Sequence, residues 1–186
     1  MAELKAFRDS FNIDAFRQNF VNGARDYLFY VIPSFPSSIK TYANNLKTNP
    51  TYLVRSSSIP ERSVEAAPVN WQGYTYNLGG KSNVQDWTVS YTVDKTAGLY
   101  KVFLKWIDLV HNPTTNVHGD PNDFMVDQNV QVLSLDGSEA IIDVKLVGCW
   151  ASNVGQLSLD YSSSNILSFD VTYKILRVEY NTDDIK

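Results

Sequence analysis

Residues 86–93 read DWTVSYTV, an uninterrupted alternation of apolar and polar side chains. Trp87, Val89 and Tyr91 share one parity, while Thr88 and Ser90 share the other. Successive side chains of a strand point to opposite faces of a sheet, so this pattern predicts an antiparallel strand with one buried face and one wet face. A chain with such a strand must also supply neighbouring strands and an apolar layer that covers the buried face.

The period of the pattern changes directly after this strand. Within residues 96–113 the apolar side chains recur at helical spacing, at Leu99, Val102, Phe103, Trp106, Ile107 and Val110. Asp94 or Thr96 is suited to cap the start of a helix, and Pro113 ends it. We therefore predict one flanking α-helix over about residues 95–111 that lies across the sheet.

Strand-like runs occur on both sides of that helix. Segment 27–33 is predicted as an apolar strand and segment 51–60 as a second strand, and each ends in proline. Farther along, Asp136-Gly137 separates QNVQVLSL from EAIIDVKLVGCW, and Asp-Gly between two such runs is a strong signal for a β-hairpin. Strands, one helix and more strands predict the α+β class, dominated by antiparallel sheet.

The last strand-like run, ILSFDVTYKILRVEY, changes the parity of its apolar side chains. Leu167 through Ile175 keep one parity, whereas Leu176, Val178 and Tyr180 have the other. Such a slip within one strand requires a bulge, a bend or a change in which face is buried.

The remaining segments complete a single domain that we predict over residues 1–186. Residues 1–25 have irregular helical spacing and are predicted as an N-terminal arm or helix. Segments 34–50 and 111–128 are polar and are predicted as loops.

Charge and composition exclude several classes of protein. The net charge is −4, which gives no global attraction for nucleic acid. Cys149 is the only cysteine, so an internal disulfide is excluded. The first residues lack the apolar core of a signal peptide, and no run of 18 apolar residues occurs, so we expect no membrane segment.

No arrangement of residues indicates catalysis, a metal site or a cofactor site. The one cluster that resembles a metal site fits neither an EF-hand nor a zinc motif, and it consists of His111, His118, Asp120, Asp123 and Asp127. Gly79-Gly80-Lys81-Ser82 lacks the spacing of a P-loop and is predicted as a tight turn. Cys149 is predicted as a small buried thiol, and the serines at 56–58 and 162–164 lack the context of a nucleophile. We therefore predict a protein without enzymatic activity.

Two strings go beyond generic patterns. NLGGKSNVQDWTVSYTVD at residues 77–94 leads into the predicted helix, and GCWASNVGQLSLDY at residues 148–161 leads toward the last strand. Together and in this order they resemble the tail tube proteins of contractile-tailed bacteriophages, over about residues 70–180. Ala151 stands where that family usually has proline, so the turn after Trp150 is expected to be less rigid.

The resemblance implies a β-sandwich or barrel-like tail tube fold with a flanking helix. It further implies a structural virion protein that assembles in the host cytoplasm. Six subunits would form a ring, and rings would stack head to tail into a tube. DNA and a tape-measure protein would pass through the tube without specific binding, a sheath would surround it, and a baseplate initiator would start it.

The resemblance also implies roles for particular residues in assembly, in the lumen and in the core. Contacts between rings or subunits are expected within residues 64–82, from Trp71, Tyr74, Tyr76, Asn77 and Lys81; the alternative is that these aromatic residues pack in the subunit's own core. The lumen is expected to be lined by Asn129, Gln131, Asp143 and Lys145. Core and turn roles are expected for Trp87, Trp150, Asn153 and Gly155, with Leu157, Leu159 and Tyr161 starting a strand. The helix over residues 99–110 and the 111–128 loop are expected to face a sheath.

Three alternative functions remain open at this point. A baseplate tube initiator, or the tube of a phage-like injection or secretion system, has the same fold and is hardly separable by sequence. A stand-alone β-sandwich binding module, for instance for a sugar, accounts for the aromatic content, which is 13% of the residues. An enzyme is the weakest alternative because no catalytic constellation supports it.

Overall fold

The computed structural model describes residues 23–181, together with Ile13 and Arg17. The predicted N-terminal arm or helix at 1–25 lies almost entirely outside these described residues. In chain order the elements are β1 (Phe29–Ile32), α1 (Ser37–Asn44), a 3₁₀ turn (Pro50–Leu53), β2 (Val54–Ser57), β3 (Arg62–Trp71), β4 (Tyr74–Val84), β5 (Trp87–Thr92), α2 (Gly98–Val110), β6 (His111–Asn112), β7 (Val117–His118), α3 (Pro121–Phe124), β8 (Val126–Leu133), β9 (Ala140–Val154), β10 (Ser168–Lys174) and β11 (Arg177–Tyr180).

Seven strands form one antiparallel sheet, in the order β1-β8-β9-β10-β5-β2, with β11 also paired to β9. The predicted α+β class with mainly antiparallel strands is therefore confirmed. Among the described strands, β1 and β2 form the two ends of the sheet and β11 pairs only with β9, so the strands do not close into a barrel. The long strands β3 and β4 form a separate two-stranded sheet.

The predicted change of parity falls between β10 and β11. Tyr173 is fully buried before it and Val178 is buried after it. On the facing strand β9 the buried parity changes as well, from Cys149 to Leu146. Gly148 lies between them with φ of 65°, a left-handed conformation that turns the chain so that the other parity becomes buried. A Cβ atom at Gly148 would lie 3.0 Å from the Cβ of Leu176.

The predicted helix is confirmed as α2, and it covers one face of β5 and β10. Its buried side chains are Leu99, Val102, Phe103 and Trp106. Phe103 lies 5.1 Å from the ring of Tyr91 on β5 and 6.2 Å from the ring of Tyr173 on β10. The two tyrosine hydroxyls are 3.0 Å apart and form a hydrogen bond with each other, so neither is left unpaired inside the core. Burial of this aromatic layer stabilises the fold, because it removes large apolar surfaces from water.

The prediction of a loop over residues 34–50 is wrong for about half of its length. Residues Ser37–Asn44 form helix α1, whose buried residues are Ile39 and Ala43. Only two apolar side chains one turn apart face the core, and this signal is too short to stand out among Ser, Asn and Pro. The 111–128 segment likewise contains the β6–β7 hairpin and the single turn α3 as well as loop.

Two predictions near the second family-like string are also wrong. Residues 155–167 contain no strand, and Leu159 and Tyr161 are exposed, because QLSLDY alternates but has no partner strand. Asn153 and Val154 belong to β9 rather than to a turn. The chain leaves the strand at Gly155, whose amide donates to the Asp170 carbonyl at 2.6 Å.

Candidate assembly surfaces

The hairpin of β3 and β4 is an exposed surface with almost no support from the rest of the subunit. Every residue of the two strands is exposed except Ser63 and Val84, which are half-buried. The turn is Gln72-Gly73, with φ of 45° and 85°, the left-handed pair that a tight hairpin turn requires. The predicted turn at Gly79-Gly80 is wrong, because both glycines lie inside β4.

One face of this hairpin is apolar along its outer half. The cross-strand pairs Trp71–Tyr74, Val69–Tyr76 and Ala67–Leu78 lie side by side, and directly paired residues share a face. We call these side chains the apolar ladder; they are Ala67, Val69, Trp71, Tyr74, Tyr76 and Leu78. Trp71 is 69% exposed, Tyr74 79% and Tyr76 68%. The alternative that these aromatic residues fill the subunit's own core is therefore wrong.

The opposite face of the hairpin is polar. It carries Asn77, which pairs with Pro68, and Thr75, which donates a hydrogen bond to Asn70 at 2.8 Å. Lys81 lies between Gly79 and Ser82, where the pairing register shifts, so alternation along β4 does not assign it to this face. Of the residues predicted to make contacts, the structure thus brings Trp71, Tyr74 and Tyr76 together, places Asn77 on the other side and leaves Lys81 at the bulge.

A bulge near the base fixes the register of the hairpin. The register shifts between Val64 and Ala66, because β4 has one residue more than β3 there: Gly80 and Lys81 both lie opposite Glu65. A Cβ atom at Gly80 would lie 2.8 Å from the carbonyl oxygen of Glu65, so only glycine permits this approach of the two main chains.

The four residues predicted to line a lumen form one patch on β8 and β9. Asn129 pairs with Lys145, and Gln131 pairs with Asp143. The amide of Gln131 donates to Asp143 at 3.2 Å. Because paired residues share a face, all four lie on the side of the sheet opposite buried Val144.

The cations of this sheet face are paired with acids. Lys145 Nζ lies 2.9 Å from Asp127, and Arg177 lies 2.7 Å from Glu179. The hydrogen bond from Lys145, together with the Gly148 amide, lowers the pKa of Asp127 below its ordinary value, and Asp127 raises the pKa of Lys145. With Asp143, this face holds three acids and two bases, so it carries a slight negative charge and no unpaired cation among these residues.

The two tryptophans assigned to the core differ in burial. Trp87 is fully buried, stacks at 4.8 Å on Tyr173 and donates to the Ser58 carbonyl at 2.8 Å. Trp150 is half-buried and contacts Phe124 edge-on at 5.9 Å. Ala151, where the family usually has proline, is fully buried within β9 opposite Tyr173.

The histidines and the cysteine, which are the residue types most often found in metal or catalytic sites, lie in contacts that support the fold. Among the described residues no three His, Cys, Asp or Glu side chains are placed to hold a metal ion. His111 and His118 are cross-strand partners whose rings lie 4.4 Å apart. Burial raises the pKa of the Cys149 thiol to about 12, and the charge of Asp127 adds to this effect. In the described part of the chain no helix has the length and apolar character needed to cross a membrane.

Sequence reasoning missed two features of these surfaces. The ladder extends to Val69 and Ala67 on β3, and the turn that makes it possible, Gln72-Gly73, is a recognisable hairpin signal. The groove between α1 and α2 was missed because α1 itself was not predicted.

An exposed apolar hairpin, two free sheet edges and a helical layer on one side define a β-protein built to associate with other subunits. Comparison with known proteins shows to which protein family the chain belongs. Residues 24–181 match the phage tail tube protein family, and the chain belongs to that family. It is a structural tube protein, and the family is not one of enzymes.

Individual relatives agree with this assignment. The chain is 26% identical over 139 residues to tail tube protein gp19 of Enterobacteria phage T4. The matched segment covers 74% of this chain and 85% of that relative. The corresponding protein of phage T6 is 27% identical over the same lengths.

Solved structures resemble the fold. One is the sheath/tube terminator of the PVC extracellular contractile injection system, with a TM-score of 0.63 and 16% identity over 86% of this chain and 96% of that one. Another is the tube terminating cap of the anti-feeding prophage, with a TM-score of 0.60 and 16% identity over 86% and 91%.

Proposed function

We propose that six copies of this chain close into a ring and that rings stack head to tail into the inner tube of a contractile phage tail. The tube is a channel for DNA and for a tape-measure protein. The chain is assembled in the host cytoplasm and becomes part of the virion. A baseplate initiator starts the stack and a sheath surrounds it.

The β3–β4 hairpin is the observation that carries this proposal. A two-stranded hairpin is marginally stable alone, and a contiguous apolar patch on a subunit marks an interaction site. Within residues 23–181 nothing covers the apolar ladder, since its aromatic members are exposed. A neighbouring copy supplies that partner without any further component, and a head-to-tail contact of this kind generates a filament.

The free sheet edges support closure of a ring. β1 and β2 lie at opposite ends of the seven-stranded sheet and each has one unpaired side. Exposed edges favour pairing with another chain, and joining them around a ring removes the exposure.

The polar face of β8 and β9 is suited to the lumen. DNA must slide through a tube, so cations that hold phosphates would retard it. On this face Lys145 and Arg177 are paired with Asp127 and Glu179. Helix α2 and the segment 111–128 then lie on the side that a sheath contacts.

Electron microscopy of the purified chain tests the proposal, alone and after co-expression with a baseplate initiator. Hollow tubes or six-membered rings are expected. A stable monomer at high concentration, with and without the initiator, would instead favour a stand-alone binding module.

A pair of variants tests the hairpin itself. Tyr74→Ala/Tyr76→Ala removes two members of the ladder and is expected to leave the subunit folded but to prevent stacking. The matched control, Asn70→Ala/Thr75→Ala, changes the polar face of the same hairpin and should assemble. Normal tubes from the tyrosine variant would refute the role of the ladder.

A further inference from the structure

Helices α1 and α2 leave a groove of about 370 Å³ between them. Leu46 and Val102 form its apolar floor, and Val102 is almost fully buried. The first turn of α2 lines the groove and begins with Gly98. A Cβ atom there would lie 2.7 Å from Cδ2 of Leu46, so the glycine lets the leucine pack against the turn.

Lysines surround this floor. Lys47, Lys101 and Lys105 line the groove and are exposed, and no carboxylate lines it. None of the three forms a salt bridge with a described residue, in contrast to Lys145 and Lys174, which are each paired with an aspartate. In a chain with 20 acidic and 16 basic side chains, this groove is a local positive surface without compensating acids.

Two of the three ammonium groups, those of Lys101 and Lys105, have neutral partners at the rim. Lys101 donates to the main-chain carbonyl of Thr96 at 3.2 Å, and the Lys105 Nζ lies 4.3 Å above the ring of Tyr42. Asp94, close to Gly98, has its carboxylate occupied by hydrogen bonds from Thr96 and from the Gly98 amide. The lysine charges therefore remain available to a partner.

We propose that this groove binds an acidic amphipathic segment of a partner protein. An apolar side chain of that segment packs on Leu46 and Val102, and its carboxylates contact the surrounding lysines. This is the helix-in-groove mode of recognition, with charge complementarity setting orientation and specificity. A polypeptide fits better than nucleic acid, because phosphates gain nothing from an apolar floor and three lysines replace few counterions.

A synthetic peptide of Glu, Ala and Leu, 16 residues long with leucines at helical spacing, is the direct probe. Fluorescence anisotropy measures its binding to the unassembled chain, beside a counterpart with every Glu replaced by Lys and a single-stranded oligonucleotide. The acidic peptide is expected to bind, and its binding should weaken with added salt because the contacts are between charges. The basic peptide is not expected to bind. Equal binding of both peptides, or tighter binding of the oligonucleotide, would overturn the proposal.

Variants locate the site. Lys101→Glu/Lys105→Glu is expected to weaken binding of the acidic peptide at least tenfold, and Tyr42→Ala to weaken it by a smaller factor. Arg62→Glu/Lys81→Glu makes the same charge change on the β3–β4 hairpin and serves as the control; it should bind like the parent chain. If the two double variants lose affinity equally, binding reflects net charge and not the groove. The assay needs no assembled tube, so its failure would leave the proposed tube function intact.

Discussion

The side chain of Gln128 on β8 makes two hydrogen bonds with the main chain of Ser34, accepting from its amide at 2.8 Å and donating to its carbonyl at 2.7 Å. Gln128 is the one buried polar side chain among the described residues, and it fixes the link between β1 and α1. Gln128→Leu leaves both main-chain groups of Ser34 without this partner. We expect the free energy of unfolding to fall by about 2 kcal/mol or more.

Urea denaturation measures this loss as a lower midpoint with an unchanged slope. Asn129→Leu, the next residue on β8, lies on the opposite face and has no comparable burial, so it should change the midpoint little. Equal midpoints for the two variants would show that the Gln128 hydrogen bonds contribute nothing to stability.

Local patterns predicted the elements whose burial follows a strict period. DWTVSYTV forms β5 with Trp87, Val89 and Tyr91 all fully buried, and the helical stripe forms α2. The Asp136-Gly137 turn also joins two antiparallel strands as predicted, with Gly137 at φ of 71°. In each case a short segment contains the whole signal, because one face meets the core along its entire length.

Features that depend on distant partners were not predictable in this way. QLSLDY has the alternation of a strand, yet whether it pairs is decided by other strands of the sheet. The ladder was recognised as aromatic, but burial in the core and exposure for assembly give the same alternating sequence. Only the structure shows that, among the described strands, β3 and β4 pair with each other alone.

Cys149 is fully buried in β9, and burial raises the pKa of its thiol to about 12. A thiol reacts as the thiolate, so the native protein should not react with a disulfide reagent at pH 8. In urea the thiol returns to its ordinary range and one equivalent should react. Ser162→Cys adds an exposed thiol in the loop after β9 and should react in the native state. Rapid reaction of native Cys149 would contradict its burial.

The Asp136 carboxylate in the β8–β9 turn accepts hydrogen bonds from the hydroxyls of Ser134 and Ser138, which lower its pKa to about 2. These bonds stabilise the turn fully above the ordinary pKa of 3.8, and the stabilisation is lost as the pH falls through about 2. Ser134→Ala/Ser138→Ala should raise the pKa of Asp136 toward 3.8, measured by NMR titration of its carboxyl carbon. Asp160 is the internal control, since its lowered pKa depends on Ser162. An unshifted Asp136 would mean that the serine hydroxyls are not its partners.

The paired cations of the β8–β9 face give a prediction about DNA. Asp127→Asn/Asp143→Asn removes the partner of Lys145 and makes the face positive. Tubes of this variant should retain labelled double-stranded DNA at 50 mM salt and release it at about 200 mM, because phosphate contacts weaken with added salt. Asp123→Asn/Glu139→Gln makes the same charge change on exposed residues elsewhere and should not retain DNA. Retention by both variants would mean that net charge, and not this face, governs the interaction.

Trp71 reports on assembly, because its exposure differs from that of the core tryptophans. It is 69% exposed at the end of the apolar ladder, whereas Trp87 and Trp106 are fully buried. In the unassembled chain, iodide should therefore quench mainly Trp71, and Trp71→Phe should remove most of the quenchable fluorescence. If the ladder packs on a neighbouring subunit, that component must disappear as tubes form, since the indole leaves the solvent. Tubes in which Trp71 stays as accessible as in the free subunit would show that the outer end of the hairpin makes no contact, and would restrict the interface to the part of the ladder nearer its base.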